Sequence, residues 1–245
     1  NDAPATGSIV AKCRERVDNG LPNYVSMNPG GRTNDVFAQG PAYLGQAYLP
    51  FNVEGDPTQP NFVVPNIAMN TAVAPRVDDR MKLLSSLDRI DRHIDTSRMM
   101  DSMDRYQQRA VSMLLSDAAK KAFDLSREPD ALRDRYGRHC WGQRALMARR
   151  LVEAGVSFVT VVMENPYQSG IPHLKQGVYN WDSHAVNCHI WDDLNVRLPI
   201  YDQAVTALIE DVYQRGLDKR TLILVTGEFG RTPRIEKSIG SQTGV

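Results

Sequence analysis

The sequence has few cysteines, no excess of charge of either sign and no long apolar run. Its three cysteines, Cys13, Cys140 and Cys188, are too sparse for a disulfide framework and are not spaced as a paired zinc motif. The 29 basic residues equal the 29 acidic residues, so nothing favours general binding to polyanions such as nucleic acid. No stretch approaches the roughly 18 apolar residues of a membrane span.

The length of 245 residues is enough for one large domain with a substantial core. The chain begins at Asn1 without a methionine or a signal peptide, and it ends soon after a glycine-rich motif. We therefore expect a single α/β domain over residues 1–245 that is incomplete at both ends and has lost its localisation signals.

The first quarter of the chain predicts short elements joined by a long loop. Residues 8–16 have the spacing of a short amphipathic helix, and residues 21–27 are typical of a short buried strand. Residues 28–62 are rich in glycine, proline, asparagine and aspartate, which predicts mostly loop. Loops of this length are usually functional or packed on themselves. A short extended piece is predicted within residues 61–69.

The middle of the chain has the apolar periodicity of helices. The helices are predicted at residues 76–94 and 97–114, as a shorter turn to residue 123, and from residue 126 to residue 155. Gly155 is predicted to end the last of these, because helices favour glycine just beyond their final turn.

The last third of the chain alternates strand and helix. Residues 156–163 and residues 222–226 are typical of buried parallel strands. A polar loop over residues 164–189 and a long amphipathic helix ending at Gly216 separate them, and Pro199 either begins or kinks that helix. This order predicts an α/β fold in which helices connect the strands of a parallel sheet.

The polar loop ends in a pair of residues that can bind a metal. Asp182 and His184 lie on the same side of the chain if it is extended there, because strand side chains alternate. A carboxylate beside an imidazole can bind a divalent ion such as zinc or manganese. The alternative is a surface loop whose Asp and His are merely hydrogen-bonded.

A second carboxylate, Glu228, follows the predicted strand at residues 222–226. Ligands of parallel α/β sheets bind beyond the carboxyl ends of the strands, so Glu228 is expected to complete a metal site with Asp182 and His184. Arg231 would face an anionic substrate with its planar set of donors. The alternative is that Glu228 caps a helix or pairs with an arginine.

Three other features are weaker candidates. His173, in the loop before Asp182, could reach the same pocket. His139, beside Cys140, is expected to pack or to cap a helix. Residues 28–33, NPGGRT, form a glycine turn without the spacing of a phosphate-binding loop.

Several motifs in this order resemble one bacterial family. They are GEFGRTPRI (227–235), WDSH (181–184) and RYGRHCWGQRALMARRLVEAGVSFVTV (135–161), together with residues 28–51 and 122–139. The family is that of the sulfatase-like proteins called domain of unknown function 1501, in the alkaline phosphatase superfamily. The likeness covers nearly the whole chain.

The resemblance implies a doubly wound, mostly parallel α/β sheet with flanking helices and a metal site at the sheet edge. It implies a metal-dependent hydrolase of phosphate or sulfate esters that uses zinc, manganese or calcium. By position, Asp182, His184 and Glu228 would be metal ligands, and Arg231 would bind the anionic group. The substrate would be an anionic small-molecule or polysaccharide ester, and the protein would be exported or periplasmic.

The nucleophile of such an enzyme is not assigned, because the segment expected to contain it would precede Asn1. Glu228-Phe229 stands where better-known members of the superfamily have an Asp-His pair. The fragment is therefore expected to be inactive alone. The alternative is a non-catalytic binding or surface-assembly module that retains the fold.

Overall fold

A computed structural model describes residues 3–16, 20–28, 40–65, 67, 79, 110–114, 116–164, 181, 190–227 and 230. The elements are, in chain order, α1 (Thr6–Cys13), β1 (Tyr24–Asn28), β2 (Phe51–Glu54), α2 (Asp117–Phe123), α3 (Asp130–Tyr136), α4 (Cys140–Ala154), β3 (Phe158–Val161) and α5 (Ile190–Gln214). Single 3₁₀ turns occur at Ala42–Leu44, Gln46–Tyr48 and Leu125–Arg127.

The chain divides into two compact units. The first unit contains Asn1–Glu54, Val63–Asp124 and Arg150–Thr160, and the second contains Gly55–Phe62, Leu125–Arg149 and Val161–Val245. The expectation of a single domain that is incomplete at both ends stays a prediction.

The first unit is built on a small parallel sheet with the strand order β2-β1-β3. β1 and β2 run parallel, with Val25 opposite Phe51 and Met27 opposite Val53. All five residues of β1 are buried, as expected for a central strand covered on both faces. The prediction of an α/β protein is therefore confirmed, and β1 overlaps the strand predicted at residues 21–27.

The core of the first unit is arranged around Tyr24. Its ring meets the Phe158 ring edge-on at a centroid distance of 5.4 Å, and its hydroxyl is hydrogen-bonded to the Thr160 hydroxyl at 3.2 Å. A Cβ at Gly7 would lie 2.4 Å from the Tyr24 ring, so only glycine lets α1 approach this closely. The remaining core residues of this cluster are Ala11, Ala47 and Tyr48.

β2 is the element that the sequence did not predict. Its four residues lie inside the segment 28–62, whose glycine and proline content predicted a loop. Within the extended piece predicted at residues 61–69, the described residues form no strand. A strand this short depends on pairing with β1, which composition alone does not reveal.

Where the described residues cover them, the predicted helices are present, with one interruption. The helix predicted from residue 126 is split at Gly137, whose φ of 95° is outside the helical region. Gly155 ends α4 as predicted, with a φ of 113° and a hydrogen bond from the Val156 N–H to the Leu151 carbonyl. The helices predicted between residues 76 and 109 lie outside the described residues, except for residue 79.

α5 is a 25-residue helix that contains Pro199. It begins at Ile190, so Pro199 lies inside the helix rather than at its start. It ends near Gly216 as predicted, where the Leu217 N–H donates to the Val212 carbonyl at 2.9 Å. Within the described ranges, no helix is both long enough and apolar enough to cross a membrane.

The interior of the second unit contains paired charges. Arg149, on α4, is fully buried and forms ion pairs with Glu128 at 2.9 Å and with Asp211 of α5 at 2.7 Å. Asp211 also pairs with Arg215 at 2.7 Å and accepts a hydrogen bond from the Tyr136 hydroxyl at 3.0 Å. This network links α3, α4 and α5, and α3 packs directly on α5.

The prediction of a buried strand at residues 222–226 is wrong in the structure. Residues 221–227 are described and form no strand, and the side chains of Leu222 and Leu224 are 89% and 76% exposed. A strand is stable when its backbone pairs with a neighbour and its apolar side chains are covered. In the described part of the chain, these side chains lack that cover.

Candidate functional site

The residues predicted to form the site are Asp182, His184, Glu228 and Arg231, and all of them lie outside the described residues, as does His173. The structure describes the chain on either side of them. Trp181 immediately precedes Asp182, and Gly227 and Gly230 flank the pair that contains Glu228.

Trp181 is attached to the chain that leaves β3. Its indole N–H donates a hydrogen bond to the Met163 carbonyl at 2.6 Å. Met163 lies just after Val161, the last residue of β3. The residue before Asp182 is therefore anchored at the carboxyl end of a strand, which is the kind of position where ligands bind in α/β proteins.

The Trp181 ring also contacts α4 and α5. It stacks on the Trp141 ring with a centroid distance of 5.5 Å and an angle of 26°, and it meets the Tyr201 ring edge-on at 5.9 Å. Such offset and edge-on geometries are the favourable ones for aromatic pairs. Trp141 belongs to a buried cluster with Cys140 and Ala204, so Trp181 rests on a fixed surface.

A buried cation lies over the same indole. The Arg197 guanidinium is 5.1 Å from the centre of the Trp181 ring, a cation–π distance. Arg197 is itself fully buried and pairs with Asp193, one helical turn earlier on α5, at 3.0 Å. The ion pair holds the guanidinium against the ring.

Three consecutive carbonyls after β3 each accept a hydrogen bond from a side chain. Arg144 donates to the Val162 carbonyl at 3.4 Å, Trp181 to the Met163 carbonyl at 2.6 Å, and Trp141 to the Glu164 carbonyl at 2.9 Å. Backbone that leaves a sheet loses its ladder partners, and these donors replace them. The course of the chain at residues 162–164 is therefore set by side chains of α4 and by Trp181.

Arg144, the α4 side chain that donates to the Val162 carbonyl, is buried. It also donates to the Gly55 carbonyl at 2.6 Å. Burial lowers the pKa of the Arg144 guanidinium from its ordinary value, and the nearby Cys140 and Asp56 partly offset that effect. The side chain acts here as a donor to backbone oxygens inside the protein.

His139 caps the N-terminus of α4, which confirms the prediction that it packs or caps. Its Nδ1 accepts a hydrogen bond from the Gly142 N–H at 3.1 Å. A Cβ at Gly142 would lie 2.1 Å from the Tyr136 carbonyl oxygen, so glycine is required for this tight start. Burial lowers the pKa of His139, which favours the neutral imidazole that capping needs.

Gly227 and Gly230 are open to their surroundings. A Cβ added to either glycine would meet no atom within 4 Å. The described contacts thus give no reason for glycine at these two positions, and the predicted close approach of a ligand remains a prediction. The described residues also contain no group of three or more His, Cys, Asp or Glu that could hold a metal ion.

The sequence did not predict that three side chains would hold the chain next to the candidate site. They are Trp141, Trp181 and Arg197. Trp181 belongs to the motif WDSH, where an aromatic residue directly before a candidate ligand pair was the available signal. The burial of Arg197 and the stacking of Trp141 depend on contacts between distant segments, which the sequence pattern does not show.

The structure thus defines an α/β protein in which tryptophan and arginine side chains fix the chain leaving β3. Residues 1–242 match the family model described as "Protein of unknown function (DUF1501)". The chain belongs to this family, as the sequence motifs indicated. No curated protein and no solved structure matches it.

Proposed function

We propose that the protein is a metal-dependent, sulfatase-like hydrolase of phosphate or sulfate esters. The observation that supports this is the anchoring of Trp181 at the carboxyl end of β3, directly before Asp182. Ligands of α/β proteins bind beyond that end of the strands. We also propose that the complete fold is a doubly wound sheet of the alkaline phosphatase type.

The donor atoms of the proposed site suit a divalent metal. Asp182 and Glu228 supply carboxylate oxygens and His184 supplies an imidazole nitrogen, a set that fits zinc or manganese, whereas calcium would rely on the oxygens. A bound divalent ion activates a nucleophile and stabilises negative charge on the transferred group. Arg231 would orient the phosphate or sulfate group through paired hydrogen bonds.

The proposed substrate is an anionic small-molecule or polysaccharide ester. We further propose that the protein acts in an exported or periplasmic setting, on the basis of the resemblance to the sulfatase-like family.

The test is metal content. The full-length protein is purified without chelators and analysed by mass spectrometry, together with its Glu228→Ala variant and with Glu210→Gln as a control carboxylate on the exposed side of α5. We expect stoichiometric zinc, manganese or calcium in the parent protein and in the control, and its loss from Glu228→Ala.

Metal retained by Glu228→Ala would contradict the ligand assignment. Metal absent from the parent protein would contradict metal-dependent hydrolysis and would favour the non-catalytic binding or surface-assembly module. If metal is present, hydrolysis of aryl phosphate and aryl sulfate esters is then compared between the parent protein and Glu228→Ala.

A further inference from the structure

We infer that Trp181 is the positioning residue for the segment that begins at Asp182 and contains His184. Its contacts fix the residue that immediately precedes this segment. The inference deepens the proposed function and, for its metal-binding part, rests on it. Trp181 would act through the neighbouring residues without touching substrate.

Four directional contacts hold the Trp181 ring. The hydrogen bond from the indole N–H to the Met163 carbonyl fixes one edge of the ring, and stacking on Trp141 fixes its plane. The edge-on contact with Tyr201 and the Arg197 guanidinium add two further constraints. A ring held in this way has one orientation, so the backbone of Trp181 has a restricted position as well.

Trp181 is 37% exposed, whereas the Trp141 ring on which it stacks is fully buried. A tryptophan whose main role is to bury apolar area would be covered more completely. Four directional contacts on a partly exposed ring orient the ring more than they add to the buried apolar area.

The groups that contact Trp181 are themselves held by other contacts. Met163 lies between two residues whose carbonyls are also held by side chains, Val162 by Arg144 and Glu164 by Trp141. Arg197 is held by its ion pair with Asp193. The partners of Trp181 are therefore positioned independently of it, as a support for a ligand pair requires.

The experiment compares Trp181→Leu and Trp181→Phe with the parent protein. Trp181→Phe keeps an aromatic ring and removes the donor to Met163, whereas Trp181→Leu removes both. Trp191→Leu is the matched control, because Trp191 is on α5 and is 63% exposed. Two quantities are measured in each protein: amide hydrogen exchange of residues 182–189 and the Kd for Mn²⁺ added alone.

In Trp181→Leu we expect exchange at residues 182–189 to rise about tenfold or more relative to the parent protein. The Kd for Mn²⁺ is expected to rise about 10- to 100-fold, the usual effect of losing a residue that orients metal ligands. In Trp181→Phe the Kd should rise about three- to tenfold, as for the loss of one hydrogen bond. Trp191→Leu should stay within about twofold of the parent protein in both measurements.

Unchanged exchange at residues 182–189 in Trp181→Leu would overturn the inference, whatever the metal does. Raised exchange in a protein that binds no Mn²⁺ would support the positioning role and contradict the metal site. If Trp181→Leu does not fold, Trp181→Phe decides the question by the same two measurements. Equal effects of Trp191→Leu and Trp181→Leu would also overturn it, because the effect would then not be specific to this ring.

Discussion

The interiors of the two compact units are built in different ways. Around Tyr24, the first unit packs small and aromatic residues, and its polar contact with Thr160 is between neutral hydroxyls. Around Arg149, the second unit buries charges that neutralise one another. In the first kind of interior, a substitution costs about as much stability as the apolar area or the hydrogen bond that it removes. In the second kind, stability depends on every charged partner being present.

The difference concerns sensitivity rather than total stability. A buried ion pair gives little net stability over a well-packed apolar cluster, because desolvation offsets the attraction of the charges. Removing one partner, however, leaves an uncompensated buried charge. We therefore expect a single substitution near Arg149 in the second unit to lower stability more than a single substitution near Tyr24 in the first unit.

The largest effect is expected for Arg149→Met, which removes the buried cation from the carboxylates of Glu128 and Asp211 and leaves them with the partly exposed Arg215. The free energy of unfolding, measured by urea denaturation, should fall by about 3–5 kcal/mol. Adding Glu128→Gln and Asp211→Asn should recover part of that loss, because the buried charges are then removed as well. A loss below about 1 kcal/mol in Arg149→Met would contradict the proposed role of the network.

The next largest effects are expected when the hydroxyl group of a buried tyrosine is removed, and two such tyrosines can be compared. Tyr136→Phe removes a donor to the charged Asp211 carboxylate and should lower the free energy of unfolding by about 1.5–3 kcal/mol. Tyr24→Phe removes a contact with the neutral Thr160 hydroxyl and should cost about 0.5–1.5 kcal/mol. Thermal and urea unfolding of both variants measure the difference. A larger loss in Tyr24→Phe would reverse the comparison.

The raised pKa values of the same two tyrosines lead us to expect a loss of stability at alkaline pH. Burial raises the pKa of the Tyr136 hydroxyl, and the Asp211 charge raises it further. A raised folded-state pKa gives stability that is present below the ordinary tyrosine value of about 10 and lost above it, by at most about 1.4 kcal/mol per pH unit. Burial also raises the pKa of Tyr24, partly offset by Thr160.

Urea unfolding between about pH 8 and pH 11 tests this prediction. The decline in stability above about pH 10 should be shallower in Tyr136→Phe than in the parent protein. Profiles that run parallel across this range would show that Tyr136 does not contribute to the alkaline loss.

The smallest effect is expected at the surface of the second unit. Arg135 pairs with Glu210 at 2.8 Å, with the side chains 41% and 53% exposed. A double-mutant cycle with Arg135→Gln and Glu210→Gln should give a coupling of at most about 1 kcal/mol, which 1 M salt should screen, leaving about 0 kcal/mol. A coupling as large as the effect of Arg149→Met would remove the distinction between buried and exposed pairs.

Local signals in the sequence predicted part of the fold. Gly155 and Gly216 correctly marked the ends of α4 and α5, because a glycine after a helical run is a signal contained in a few residues. β2 was missed, and residues 222–226 were wrongly assigned to a buried strand. In both cases the outcome depends on whether a distant segment supplies a pairing partner, which an apolar or glycine-rich composition does not report.

The candidate site was predicted only as a set of residue types. Asp182, His184 and Glu228 have the chemistry of metal ligands, but all three lie outside the described residues, so their grouping stays a prediction. The role of Trp181 was missed because its hydrogen bond to Met163 and its stacking on Trp141 arise only in the folded chain. The charge network around Arg149 was missed for the same reason.

The stacked indoles have an optical consequence. The chain has three tryptophans, all in the second unit, and two of them, Trp141 and Trp181, form a stacked pair whose centroids are 5.5 Å apart. Transition dipoles this close couple, so the pair should give a circular dichroism signal that the exposed Trp191 does not share. The protein thereby contains an unlabelled reporter of the chain position next to Asp182, readable in solution while a ligand is added.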